Sequence, residues 1–237
     1  SVGPPYFNQL MIPFLIPFLL IMALGPKLDW IKNKKFEAKF TKIILFVISI
    51  LVSYLVAKNF NTQVLYSTVL ISSALYLFFV SITDFKNKKL KLSQKISHSA
   101  FSILIISIIL NSLFSEEVSV NLKKGEEKKL LNYLLKFEKI SKTEIDNFTS
   151  LKAEIHVIQN DNKLKFYPEL RLYKVPETIT SEADIKTNLF SDNLVVVNYL
   201  KDTDYLNIRY QKKPFMLLIW LSAIMLAVGG LIGLKKI

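Results

Sequence analysis

Two side chains in this sequence stand out as able to bind a metal or move a proton near neutral pH, His98 and His156. His98 opens the apolar stretch SHSAFSILIISIILNSLF. Gln94 and Lys95 come just before it, and Ser102 lies one helical turn further along the same face. An ionisable residue within a membrane helix is costly and ordinarily faces a bundle interior or a site. Two chemistries fit it. A neutral imidazole can hydrogen-bond a neighbouring serine, or it can be an axial ligand of haem iron held between helices. Six-coordinate haem needs a second ligand, and no other histidine lies in an apolar run; Met11 and Met22 could substitute but read first as packing residues. His156 alternates with Ile155 and Val157 and shares a strand face with Glu154, which reads as a solvated strand histidine.

Other chemistries are absent. The chain has no cysteine, which excludes disulfide scaffolds, thiol catalysis, zinc–cysteine sites and iron–sulfur clusters. It has no glycine-rich phosphate loop, and its acids are scattered without a metal-ligand spacing. No catalytic residue is assigned.

The elements that must position His98 are apolar. Of 237 residues, 51% are hydrophobic, and five stretches read as membrane spans: 9–25, 43–57, 64–82, 96–114 and 214–234. The second is short, and Lys42 and Lys58 can snorkel from its ends. Pro13 and Pro17 are expected to bend the first, and Pro4 and Pro5 to shape a surface turn before it. The start of the chain lacks the basic region of a signal peptide, so it reads as the C-terminal portion of a longer protein or one piece of a split one.

Residues 115–213 differ. Alternation at 153–157, 163–166 and 205–210, the buried-looking run LVVVNYL, and turn chemistry at Gly125 and 159–162 predict six to eight antiparallel strands. The expected architecture is an integral membrane α-helical bundle of five transmembrane helices with an inserted small all-β extracytoplasmic domain. Residues 1–114 form a four-helix transmembrane region, 115–213 the β domain and 214–237 the C-terminal helix.

Charge orients it. Loop 26–42 carries six lysines and two acids, loop 84–95 five lysines and one acid, and the tail adds Lys235 and Lys236. Lysine-rich loops stay inside, so 115–213 lies outside and the C-terminus inside. That segment is nearly neutral, with 17 basic and 16 acidic residues, so the net charge of +12 sits where topology needs it. Anionic lipid is a sufficient partner for that charge, and a nucleic-acid partner is not expected.

Several phrases, in order, resemble the C-terminal part of the cytochrome c maturation protein family CcmF. They are SVGPPYFN before a proline-containing span, SHSAFSILIISIILNSLFSEE leading into VSVNLKKGE, PELRLY (168–173), TSEADI (180–185), DNLVVV (192–197) and KPFMLLIWLSAIMLAVGG (213–230). The family's tryptophan-rich haem-presenting segment, its flanking outer histidines and its second membrane histidine have no counterpart here. Leu170 stands where the family is often basic, Asp184 where it is often alanine, and Ser99-Ala100 where Leu-Gly is usual.

The resemblance implies a component of the system I haem lyase complex. His98 would be one axial ligand of a b-type haem iron, the second coming from outside this chain. The partners implied are the remainder of CcmF, the haem chaperone CcmE, apocytochrome c with its CxxCH thiols, a CcmH-like thiol-handling subunit, and quinol as electron source. Such a subunit would assist covalent haem attachment in a bacterial or mitochondrial inner membrane and would not be catalytic alone. The alternative is a membrane-anchored extracytoplasmic partner-binding module without haem chemistry. Among other residues, Trp220 reads as an aromatic packing or interface residue and Gly229 and Gly230 as sites of close helix approach. Glu169 and Arg171 read as an ion pair on one strand face.

Overall fold

A segment that is apolar all round keeps its backbone polar groups paired only within its own helix, and the five apolar runs are helical. The computed structural model describes residues 4–27, 40–60, 64–88, 90–160, 162–200 and 203–234. The helices are α1 (Pro4–Leu24), α2 (Phe40–Asn59), α3 (Val64–Asp84), α4 (Leu92–Phe114) and α5 (Met216–Leu234). Four of them, α2 to α5, are long and apolar enough to cross a membrane; in α1 the qualifying apolar stretch is the shorter Gln9–Leu24. Most of the lysine-rich loop 26–42, and Lys235 and Lys236, lie outside the described residues. The chain divides into one unit of Ser1–Leu113 with Leu217–Ile237 and a second of Phe114–Met216.

Pro4 and Pro5 correct one expectation. They do not shape a turn but begin α1, where the missing N–H of proline breaks no helical bond. Pro13 and Pro17 lie within the same helix.

Helix packing follows side-chain size. On α2 the buried residues are Ser49, Ser53 and Ala57, four apart, a small-residue stripe that permits close approach. Their hydroxyls are satisfied locally: Ser49 donates to the Leu45 carbonyl at 2.8 Å and Ser53 to the Ser49 carbonyl at 2.6 Å. Leu19 and Ala23 of α1 join Ala74, Tyr76, Leu77 and Val80 of α3 in one apolar cluster, on which Leu45, Phe101 and Ile105 pack. Phe18 and Phe101 meet edge to face at 5.7 Å.

Between α4 and α5 the decisive residue is Gly229. A Cβ there would lie 2.4 Å from Ser97 Oγ and 3.1 Å from the Ser97 backbone nitrogen. Gly233, one turn on, faces Ser93 at ordinary contact distance. Gly230 corrects the expectation made for both glycines, because a Cβ there meets nothing.

Among the described residues the second unit is a sandwich of ten strands, more than the six to eight expected, because several are only four to six residues long. One sheet has the order β1 (Glu116–Leu122), β10 (Leu206–Pro214), β9 (Ser191–Tyr199), β8 (Asp184–Thr187). The other runs β2 (Glu127–Leu130), β3 (Tyr133–Glu144), β4 (Phe148–Gln159), β6 (Glu169–Lys174), β7 (Glu177–Glu182), with β5 (Asn162–Phe166) also pairing β4. All pairings are antiparallel. Alternation places Val118, Val120, Val195, Val197, Ile208 and Tyr210 from one sheet against Tyr133, Leu135, Phe137, Ile155, Val157 and Phe166 from the other.

Polar atoms in this core are paired. Tyr133 Oη donates to Glu116 at 2.5 Å, and Tyr210 Oη donates to Asn193 Oδ1 at 2.8 Å. Burial pushes the Tyr210 hydroxyl up to about 12 and raises Tyr133 as well. Both phenols therefore stay protonated donors.

The two neighbouring glycines of α5 give a clean contrast. Gly229→Val should destabilise the α4–α5 packing by about 1–3 kcal/mol, the usual scale of overpacking. Gly230→Val should leave the thermal midpoint of the detergent-solubilised chain unchanged. Equal shifts for the two variants would contradict the close approach at Ser97.

Candidate functional site

His98 sits in the second turn of α4, half-buried. Helical spacing puts it on the face shared by Phe101, Ile105 and Ile109, the residues of α4 that pack on the α1–α3 cluster. The preceding residue, Ser97, is the one that Gly229 of α5 abuts. The turn carrying the imidazole is thus fixed on two sides, by Phe101 against Phe18 and by Ser97 against α5. At its start, Lys95 Nζ donates to the Phe85 carbonyl at 3.3 Å.

Nearby hydroxyls are differently disposed. Ser102, one turn along the same face, donates to the Ser99 carbonyl at 2.7 Å. Ser99 Oγ is buried and makes no hydrogen bond among the described residues.

The fit of this region to an iron porphyrin can be judged from the donors present. An imidazole half-buried on an apolar helix face suits one axial bond. Met22 packs in the apolar cluster of α1 and α3, whereas Met11 is 62% exposed on α1. The described residues therefore offer one histidine ligand and no histidine partner for it in the helices.

His156 overturns the expectation of a solvated residue. It is only 5% exposed. Its Nε2 donates to Glu154 Oε1 at 3.0 Å, and its Nδ1 lies 3.1 Å from Glu138 Oε1 in an ion-pair contact. Glu138 comes into reach through an irregularity in the sheet. Phe137 pairs Ile155 and Lys139 pairs Glu154, so residue 138 is the extra residue of a bulge, and β3 presents both Glu138 and Lys139 on its outer face. Lys136 on β3 and Lys165 on β5 flank the ring by direct cross-strand pairing. Burial comes from this central position, which alternation alone does not disclose.

The charges of the cluster reinforce one another. The Lys136 ammonium, 2.8 Å away, holds the Glu138 carboxyl below its usual range. The hydrogen bond from His156, with help from Lys139, does the same for Glu154. The two carboxylates lie at opposite ends of the ring and do not converge. No group of three or more histidines and acids among the described residues could hold a metal ion. Nε2 is hydrogen-bonded to Glu154, whereas the buried Nδ1 faces Glu138 without a hydrogen bond, so His156 is bound into the strand face by one nitrogen.

The remaining singled-out residues divide similarly. Arg171 Nη2 donates to Glu169 Oε2 at 3.2 Å, the ion pair expected from their spacing, and Arg171 depresses the Glu169 carboxyl. Leu170 between them is buried in the sandwich core. Asp184 accepts from the Tyr167 backbone N–H at 2.6 Å and so tethers the link between β5 and β6. Trp220 is 63% exposed on the second turn of α5.

Comparison with known proteins agrees with this architecture at both levels. Residues 113–214 match the CcmF C-terminal beta-sandwich. The cytochrome c-type biogenesis protein CcmF of Pseudomonas fluorescens is 28% identical over 98% of this chain, and that of Escherichia coli K12 is 24% identical over 99%. The chain spans 38% of the length of each. A solved structure of the cytochrome c heme lyase CcmF superposes with a TM-score of 0.78 at 15% identity, covering 99% of this chain and 41% of that one. Along nearly its whole length the chain is thus similar to the C-terminal portion of CcmF proteins. The cytochrome c-type biogenesis protein NrfE of Haemophilus influenzae matches in the same way, at 25% identity over the whole chain and 39% of its own length. Four apolar helices of spanning length, in a chain similar to CcmF proteins, make this a multi-pass membrane protein.

The depressed carboxyls carry a pH dependence. Glu138, Glu144, Glu154 and Glu169 all fall below 4.5 in the folded chain. A carboxyl whose folded pKa lies below its unfolded one stabilises the fold above the unfolded value, and that contribution is lost as pH falls through the folded one. The thermal midpoint of the β-sheet signal in circular dichroism should therefore decline as the chain is acidified below about pH 4.5. Glu154→Gln should shrink that decline; a midpoint insensitive to acid would refute the assignment.

Proposed function

We propose that this chain acts in cytochrome c maturation as the C-terminal part of a haem lyase, holding a b-type haem through His98 and presenting the β unit to partner proteins. The observation that carries the reading is the placement of His98. In a chain that aligns along its length with cytochrome c biogenesis proteins, the one histidine borne by a helix lies half-buried on an apolar face. Packing on both sides fixes its turn.

In this reading the imidazole of His98 would hold the haem iron from this chain, with a further donor supplied by another segment of the assembly. Phe101 and Ile105, on the same helix face, pack on the apolar cluster of α1 and α3. A b-type haem held there supplies a one-electron redox centre. Quinol is the electron source in this scheme. The β unit docks the haem chaperone CcmE and the apocytochrome c that a CcmH-like subunit delivers. The lysine-rich loops lie inside a bacterial inner membrane, with residues 115–213 outside and the C-terminus inside.

The test is His98→Ala in the complete assembly, with haem read by its reduced-minus-oxidised absorbance. Bound b haem should be abolished or greatly reduced, whereas His156→Gln should leave it in place. Unchanged haem content and spectrum in the His98 variant would overturn the reading in favour of a membrane-anchored binding module.

A further inference from the structure

The connection between β8 and β9 is a tight turn whose chemistry and decoration disagree. Asn188 Oδ1 accepts from the N–H groups of Phe190 and Ser191, both at 2.8 Å, and the Asn188 N–H donates to the Ser191 carbonyl at 3.0 Å. That is a side-chain-built turn of the kind asparagine favours. Its two tip positions would ordinarily be polar or glycine. Here they are Leu189 and Phe190, 76% and 82% exposed.

Where this turn lies gives the disagreement a meaning. Ser191 pairs with Pro214, and the Phe215 N–H donates to the Phe190 carbonyl at 3.0 Å. Phe215 has a φ of 63°, left-handed for a bulky residue, and redirects the chain out of β10. The next residue, Met216, opens the apolar helix α5. The Leu189–Phe190 tip is therefore level with the last residue before a helix of membrane-spanning length.

The β2–β3 hairpin points to the same end. Tyr133 bonds Glu116, the first residue of β1, and Leu131 at the hairpin tip is 76% exposed with a φ of 52°. A leucine in the left-handed region costs backbone energy that glycine or asparagine would not. Three large apolar side chains thus occupy turn tips at the end of the sandwich where the chain enters and leaves it. Two turns at the opposite end carry fewer apolar side chains, so exposure alone does not set the first end apart. That between β3 and β4 has Asp146 and Asn147 beside Ile145, which is 45% exposed, and that between β6 and β7 has Val175, 81% exposed, before Pro176.

We propose that the Leu189–Phe190 turn is a membrane anchor, immersed in the interfacial region of the leaflet at which α5 begins. The occupant of this apolar surface is lipid, because chain continuity brings the turn to the depth at which an apolar helix starts. Aromatic and aliphatic side chains at that depth bind the headgroup–acyl boundary. Trp220, exposed on α5, is a residue type that settles at the same boundary. The immersed tip holds the β unit against the bilayer surface at a point other than its two covalent links. This does not rest on haem binding.

The absence of cysteine makes the test direct. Single variants Phe190→Cys, Leu189→Cys and Val175→Cys of the full chain, in phosphatidylcholine nanodiscs, are spin-labelled and their relaxation measured with oxygen and with a water-soluble nickel chelate. Labels at 189 and 190 should favour oxygen over nickel several-fold more than the label at 175. Preferential access by nickel at both tip positions would overturn the proposal. Protection from both reagents would overturn it too, in favour of a covering protein surface.

Discussion

The pairing of β1 with β10 is the constraint on which the rest of the molecule depends. It runs from Glu116–Lys212 to Leu122–Leu206 and joins the strand that follows α4 to the strand that precedes α5. The domain's two ends are thereby neighbours, and the rings of Phe114 and Phe215 stand 6.0 Å apart. Within the helical unit, α4 and α5 approach where Gly229 meets Ser97, a contact that a side chain on the glycine would crowd. His98 comes directly after Ser97.

The two histidines show how environment assigns roles to one residue type. His156 has each ring nitrogen within hydrogen-bonding distance of a carboxylate oxygen, on the outer face of a central strand. A hydrogen bond to Glu154 and the neighbouring Glu138 hold its ring in the strand face. His98 has apolar neighbours on its own helix face and a helix held by packing.

Much of this was legible from residue order. Five apolar runs became five helices because a side chain's cost of leaving lipid is local and additive along a segment. The inward residues of β4 and β10 became core because strand alternation is also local, and Glu169 and Arg171 met because they are two apart on one strand. What was not legible depends on neighbours distant in sequence. The bulge that brings Glu138 to His156 exists only against β4, and the burial of His156 comes from that pairing. Gly229 and Gly230 look alike in sequence, yet only one of them faces Ser97. Pro4 and Pro5 are compatible with a turn or with a helix start, and the helical run from Tyr6 onward selects the second.

An insertion that departs and returns on adjacent strands is modular in descent. Its far turns, such as those at Asp146 and Val175, can lengthen, shorten or be exchanged between lineages without altering the adjacent strands through which the insertion begins and ends. Change in the inserted unit is thereby uncoupled from change in the helices that flank it in sequence.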